Sequence, residues 1–328
     1  MNGTMTLKGW IEVDGVRLSE SEVTRMVRDD PAALSRCGGE FALAWDDCAA
    51  RDHFGIMPAP IPPGTIQCGE ETIGTISPDP APCSLEEAIV TAVALRSDEG
   101  AVALSGGVDS ALVARLAGLP CVVVGLEGSH DVARATLAAR EMNLPLTVIS
   151  PSPPEVEAAL SRVIRVIPDP NPVDAAIATT LSFVAEWAGE RGYARILAGQ
   201  GADELFGGYS RYLTSEHLEE ELARDFLGLA EQAMRDQAVA GLYGTAFSLP
   251  YLDIRVVRAA HAIPASEKVR GGVRKHPLRM VAEEHIPADI AWYEKKAMQY
   301  GSGIWRVIQK IARQNGYKHV ADYVKTIS

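Results

Sequence analysis

Two stretches of this chain carry residue types that could do chemistry together. The first is Ser105-Gly106-Gly107-Val108-Asp109-Ser110, preceded by apolar Val102-Ala103-Leu104 and followed by helix-forming Ala111-Leu112-Val113-Ala114. Adjacent glycines permit positive φ and remove the Cβ atoms that would hold an anion away from main-chain amides. Ser110 falls where an N-cap is expected, so the free N–H groups and partial positive charge of the next helix would face the same anion. Asp109 is the odd member, because a carboxylate beside a phosphate is repulsive unless a divalent cation bridges them, and magnesium suits that task. The turn differs from the G-x-x-x-x-G-K-[ST] loop and has no lysine to reach a terminal phosphate. The second stretch runs Leu197-Ala198-Gly199-Gln200-Gly201-Ala202-Asp203-Glu204-Leu205-Phe206-Gly207-Gly208-Tyr209. It too leaves an apolar segment through a glycine-rich turn bearing acids, so Asp109 and Asp203 are expected to share one magnesium-pyrophosphate unit. The plainer alternatives are a tight strand-to-helix turn and acids that merely complement a helix dipole.

Such loops need a sheet to hold them. From Ser84 the pattern alternates: a capping box, Ser84-x-x-Glu87, opens a helix to about residue 94 and leads into the strand before Ser105. Helices are then expected at 110–116, 131–142 and 174–191, with strands at 121–126, 146–149 and 194–198. Between these, Val156, Ala159, Leu160, Val163, Ile164 and Ile167 repeat at helical spacing. Strands and helices alternating at these lengths predict a parallel sheet with helices on both faces, with ligands beyond the carboxyl ends of the strands. The loops after Leu104, Val124 and Ala198 should therefore converge on one crevice. Beyond residue 210 the strand signal fades, and helices are expected at 219–240, 254–262, 276–284 and 304–312, a helical C-terminal part. Residues 1–83 differ: short alternating segments at 7–13, 40–45 and 72–76, one helix at 20–28 opened by Ser19-x-x-Glu22, and proline-rich turns. Pro78, Pro80 and Pro82 mark a boundary between a small strand-rich domain, 1–83, and an α/β domain, 84–328.

Composition narrows the ligand classes. The 328 residues hold 47% hydrophobic and 23% charged side chains, which excludes a disordered chain. With 31 Lys+Arg against 43 Asp+Glu the net charge is −12, and no basic stripe offers a nucleic-acid footprint. Small molecules are the expected ligands, with neither nucleic acid nor membrane as partner. Five cysteines (Cys37, Cys48, Cys68, Cys83, Cys121) are odd in number and lack C-x-x-C spacing, so free thiols in a reducing cytoplasm are expected. No apolar run approaches the ~20 residues of a membrane span.

The S-G-G-V-D-S turn resembles the pyrophosphate loop of the ATP pyrophosphatases, and G-A-D-E-L-F-G-G-Y resembles the signature of the asparagine synthetase family within that group. Gly125-Leu126-Glu127-Gly128-Ser129-His130-Asp131, Leu249-Pro250-Tyr251-Leu252-Asp253 and Trp292-Tyr293-Glu294-Lys295-Lys296-Ala297 resemble further segments of that family in the same order, over roughly residues 84–310. The resemblance implies that Ser105, Gly106, Gly107, Asp109 and Ser110 hold the pyrophosphate end of ATP. Leu104, Val124 and Gly125 would line the adenosine, and Ala198 and Gly199 would close over it. Asp109 and Asp203 would bind Mg2+, and Lys295 would reach the α-phosphate. The implied reaction activates aspartate or a similar carboxylate as an acyl-adenylate, which ammonia attacks to give an amide and AMP.

Two departures qualify the resemblance. Glutamine-using members carry a cysteine nucleophile where this chain has Asn2, and the first 83 residues read as a shortened glutaminase remnant, so ammonia is expected from solution or a separate glutaminase subunit. Gln200 stands where the family usually has glutamate, and glutamine cannot act as a base; Glu204 or a substrate amine would take that task. Residues 244–249 also lack the acid and arginine found there in asparagine-forming members. A ligase joining another acid and amine, and a nucleotide-binding regulatory protein that has lost catalysis, stay open as alternatives, and a homodimer is compatible with all of them.

Overall fold

A computed structural model describes residues 5–294 and 301–327. The N-terminal residues form one antiparallel sheet from β1 (Thr6–Val13), β2 (Val16–Arg17), β3 (Gly38–Trp45), β4 (Cys48–Arg51), β5 (Thr65–Cys68) and β6 (Glu71–Thr75), in the order β2-β1-β3-β4-β5-β6. Helix α1 (Glu20–Asp29) opens with the expected capping box, in which Ser19 and Glu22 satisfy each other's backbone N–H groups. Strand alternation sends Ile11, Phe41, Leu43 and Trp45 to the face covered by Val23 and Val27 of α1. The other face carries Trp10, Glu12 and Glu40, with Trp10 directly opposite Glu40.

The expectation of five free cysteines is corrected here. The register of β4 and β5 sets Cys48 opposite Cys68, and the two form a disulfide, leaving Cys37, Cys83 and Cys121 free among the described residues. A cross-strand pairing of residues separated by 20 positions leaves no spacing signature in the sequence.

The second unit begins with α2 (Leu85–Ala94), whose Ser84–Glu87 capping box forms, and continues β7 (Ala101–Ala103), α3 (Val108–Ala117), β8 (Cys121–Val124), α4 (His130–Glu141), β9 (Leu146–Ile149), α5 (Pro153–Val163), α6 (Pro172–Glu190) and β10 (Arg195–Leu197). After α7 (Ala202–Phe206), α8 (Leu218–Leu227) and α9 (Leu229–Gly241), strand β11 (Ala246–Ser248) completes a parallel sheet ordered β11-β10-β7-β8-β9. Ala101, Val122, Val124, Ile196 and Phe247 bury one face against α5, α6 and α9, while Val102, Leu104, Val123 and Leu197 bury the other against α2, α3 and α4. The remaining elements are α10 (Ile254–His261), α11 (Ala265–Lys268), the short hairpin β12 (Val269–Arg270) and β13 (Val273–Arg274), α12 (His276–Glu283), α13 (Ala288–Ala291), α14 (Ile304–Gln314) and α15 (Val320–Ile327). The fold is therefore the expected α/β architecture with a small strand-rich N-terminal domain and a helical C-terminal part.

Three local expectations change. Helix 219–240 divides at Gly228, strand β11 appears after residue 210, and α15 follows the helix expected to be last. Strand β11 spans three residues, too few to display a period, and its pairing with β10 defines it. No described helix is long and apolar enough to cross a membrane.

A chain of buried charges joins the two units. Arg255 bonds Glu12 (2.9 Å) and Asp253 (3.1 Å), Asp253 bonds Arg96 (3.0 Å), and Arg96 bonds Glu40 (2.9 Å), every member being less than a tenth exposed. Glu40 also accepts the backbone N–H of Leu249 at 2.8 Å and the hydroxyl of Ser248. The first sheet thus grips the segment that follows β11, whose Tyr251 hydroxyl in turn donates to the backbone oxygen of Asp109 (3.0 Å).

Candidate active site

The loops after β7 and β10 and the carboxyl end of β8 meet at one cavity of about 850 Å3, at the carboxyl edge of the parallel sheet; the expected loop after Val124 does not reach it. Of the residues singled out from sequence, Leu104, Ser105, Gly107, Asp109, Ser110, Val124, Ala198, Gly199, Gln200, Asp203 and Glu204 all line it. Two do not. Gly106, at φ +76°, turns its Cα toward α4, where a Cβ would stand 2.6 Å from the Ala135 nitrogen; Gly125 packs against Ser129 and Ser302. Lys295 lies outside the described residues.

Ser110 is not the N-cap. Gly107 takes that place with extended backbone (φ −81°, ψ 159°), and α3 starts at Val108, so Ser110 lies within the first turn. A glycine cap costs only a few tenths of a kcal/mol against serine, which lets the helix begin earlier than the hydroxyl suggests. The Ser110 hydroxyl instead ties the loop to itself, accepting from the Ser105 N–H (3.1 Å), bonding the Ser105 hydroxyl (2.9 Å) and donating to the Gly107 carbonyl (3.2 Å).

Asp109 and Asp203 do converge, and a lysine stands between them. Lys275 Nζ is 2.7 Å from Asp109 Oδ2 and 2.7 Å from Asp203 Oδ1. Burial opposes its charge, yet the two carboxylates hold its pKa above the ordinary lysine value. Close approach requires Gly208, since a Cβ there would fall on Asp203 Oδ1 and the Lys275 side chain. The remaining oxygen of Asp109, Oδ1, is buried without a hydrogen-bond partner, as expected of an acceptor that faces a cation when the site is loaded. Among the described residues no group of three or more metal-ligating side chains occurs. Two carboxylates completed by phosphate oxygens suit magnesium, which is rarely caged by protein alone. Arg274 and Arg279 line the same end, Arg279 donating to the carbonyls of Arg274, Ala291 and Tyr293.

On the other side of Asp203 the cavity changes character. Glu204, buried, accepts the Tyr209 hydroxyl (2.5 Å) and the Gln232 amide (2.9 Å) on one oxygen, Oε1; burial raises its pKa. Gln200 donates to Asp236 Oδ2 at 3.1 Å, and Asp236 also bonds Arg235 (2.8 Å), which reaches Asp174 at the start of α6. Asp236 is fully buried, and that burial raises its pKa despite the arginine. Val173, Ile177, Leu181 and Val184 of α6 give the cavity an apolar wall.

Lys275, Arg235 and Asp174 were absent from the sequence reading. The structure places Lys275 as the cap of α12 at φ +57°, a conformation uncommon for a non-glycine residue, where a cation opposes the macrodipole, and its signal in the sequence lies in the residues around it. Gly271-Gly272 and His276-Pro277 around a basic pair announce the turn and the helix start. Arg235 and Asp174 had none, since charged residues on helices usually face water.

The carboxylates and the lysine thus meet beyond the carboxyl ends of a parallel sheet, the place where open α/β sheets hold their ligands. The asparagine synthase family model matches residues 84–247 and 243–322. A glutamine-hydrolysing asparagine synthetase homologue of Methanocaldococcus jannaschii is 34% identical over 67% of this chain and 49% of its own. Carboxyethyl-arginine beta-lactam synthase of Streptomyces clavuligerus is 30% identical over 72% of this chain and 47% of its own, and asparagine synthetase B of Escherichia coli 26% over 62% and 41%. The chain belongs to the asparagine synthase family. It spans about half the length of these relatives.

Proposed function

We propose that this chain is an AMP-forming ligase, activating a carboxylic acid with Mg·ATP and passing the acyl group to ammonia or another amine. The observation that carries the reading is the Asp109–Lys275–Asp203 bridge, which brings two loop acids and a lysine to one point at the strand ends. An acid oxygen would attack the α-phosphorus, the bond to the β-phosphate oxygen would break, and pyrophosphate would leave. Asp109 and Asp203 would hold magnesium, whose charge would neutralise that of the leaving pyrophosphate. Lys275 would turn its ammonium from the carboxylates to the phosphates, and the first turn of α3 would present its amides to them. In the second half-reaction the amine nitrogen attacks the acyl carbon, the bond to AMP breaks, and one proton must leave the nitrogen. Glu204, which lines the cavity and whose pKa burial raises, would accept it.

Acid-dependent exchange of labelled pyrophosphate into ATP tests the first step, and aspartate with ammonium is the reference mixture. Asp109→Asn is expected to lower the exchange rate by about 10²-fold or more, with far-UV dichroism unchanged. An undiminished rate in that variant would remove the metal role. ATP binding with no exchange for any acid would favour the regulatory alternative raised by Gln200.

A further inference from the structure

The cations that line the cavity divide between its two ends. Arg274, Lys275 and Arg279 all come from β13 and α12, on the side of Asp109. At the other end, among the described residues, Arg235 of α9 is the cation, and each of its nitrogens is engaged. Nη1 reaches Asp174, while Nε and Nη2 both lie 2.8 Å from Asp236 Oδ1. The clasp is built into the fold: the Arg235 side chain is 7% exposed and that of Asp236 1%. The second oxygen of Asp236 is taken by Gln200. What this end presents to the cavity is negative, since Asp174, its side chain 31% exposed, and Glu204 both line the wall. A carboxylate entering here would have to displace Asp174 from Arg235 while standing beside Glu204.

Resting on the adenylation reading above, we propose that the acid substrate presents a cationic group, and no second carboxylate, to this end of the cavity. Asp174 and Glu204 would receive an ammonium or guanidinium, and the Asp174–Arg235–Asp236 clasp would withhold the cation that a dicarboxylate requires. Aspartate then fits poorly: its ammonium is welcome and its second carboxylate is not. An acid that keeps the reacting carboxylate and the ammonium but neutralises or deletes the other carboxylate fits better.

Four acids separate these features: β-alanine, aspartate α-amide, aspartate and succinate, each supplied to the intact chain with Mg·ATP and pyrophosphate. The expected order of kcat/KM for exchange places β-alanine and aspartate α-amide about tenfold or more above aspartate, with succinate lowest, because bringing like charges together at this end is penalised. Asp174→Asn removes one anion and releases one arm of Arg235, so the ratio of the α-amide to aspartate should fall by about tenfold. Aspartate equalling or exceeding its α-amide in the unaltered protein overturns the inference and leaves adenylation standing. So does an unchanged ratio in an Asp174→Asn protein that retains its ATP affinity. Silence of all four acids while ATP still binds defeats the adenylation reading and the inference together.

Discussion

Replacing Lys275 by methionine keeps the length of the side chain and deletes the charge that Asp109 and Asp203 share. Breaking a buried ion pair by removing one partner costs about 3–5 kcal/mol, because a charge is left without compensation. Here the lysine side chain is 8% exposed and Asp109 18%, but Asp203 is 43% exposed, so water and salt screen its share. About 2–3 kcal/mol is the resulting expectation for Lys275→Met, or a fall in Tm of roughly 3–4 °C for a chain of 328 residues at about 2.1 cal/mol/K of unfolding entropy per residue. Neutral pH is the right condition. The folded pKa of Lys275 lies above its ordinary value, so its contribution is complete below that ordinary value and lost only as pH rises through the folded one. The assay is thermal unfolding in low salt, with and without millimolar MgCl2. Magnesium should recover part of the loss in the variant, whose two carboxylates then lack the competing ammonium, and should change the parent protein little. A variant with the parent's Tm, insensitive to magnesium, would refute the argument that the two acids form one cation site.

Two further outcomes follow from buried charge elsewhere. Glu40→Ala takes from Arg96 one of its two carboxylate partners and removes the acceptor for the Leu249 N–H, and is expected to cost about 2–4 kcal/mol in denaturant unfolding; a loss under about 1 kcal/mol would show that the junction is not held by this network. His53 is mostly buried with Nε2 unpartnered, and burial lowers its pKa from 6.5 to about 4. The unfolded chain therefore binds the proton first, and the protein should lose up to about 3 kcal/mol as pH falls from 6.5 to 4. Its neighbour Asp52, raised by burial to about 6, acts in the opposite sense as pH rises from 3.8 to 6. The difference between the parent and His53→Gln, measured by urea unfolding across this range, cancels the Asp52 contribution. Parallel stability curves would contradict the assignment.

The pattern of success and failure in the sequence reading has a physical cause. The two loops were legible because each is contiguous: glycines, a hydroxyl and an acid follow an apolar strand within nine or so residues, and backbone geometry alone confines them. The helix and strand alternation was legible because buried faces repeat at fixed periods. What escaped was the set of partners that tertiary packing brings to those loops. Cys48 and Cys68 meet through strand register, and Lys275 meets Asp109 across 166 positions. Gln200 shows the consequence most plainly. Read alone, it is a glutamate lost and a base missing. In the fold it donates to Asp236, 36 positions later and fully buried, whose other oxygen holds Arg235. A glutamate at 200 would set a second carboxylate about 3 Å from that buried one, and the two would have to share a proton and a single arginine. An amide at 200 and an acid at 236 are thus one choice made at two positions. The charge at the Gln200 end of the cavity is set by helix α9, in a stretch whose local pattern reads as solvent-facing charge.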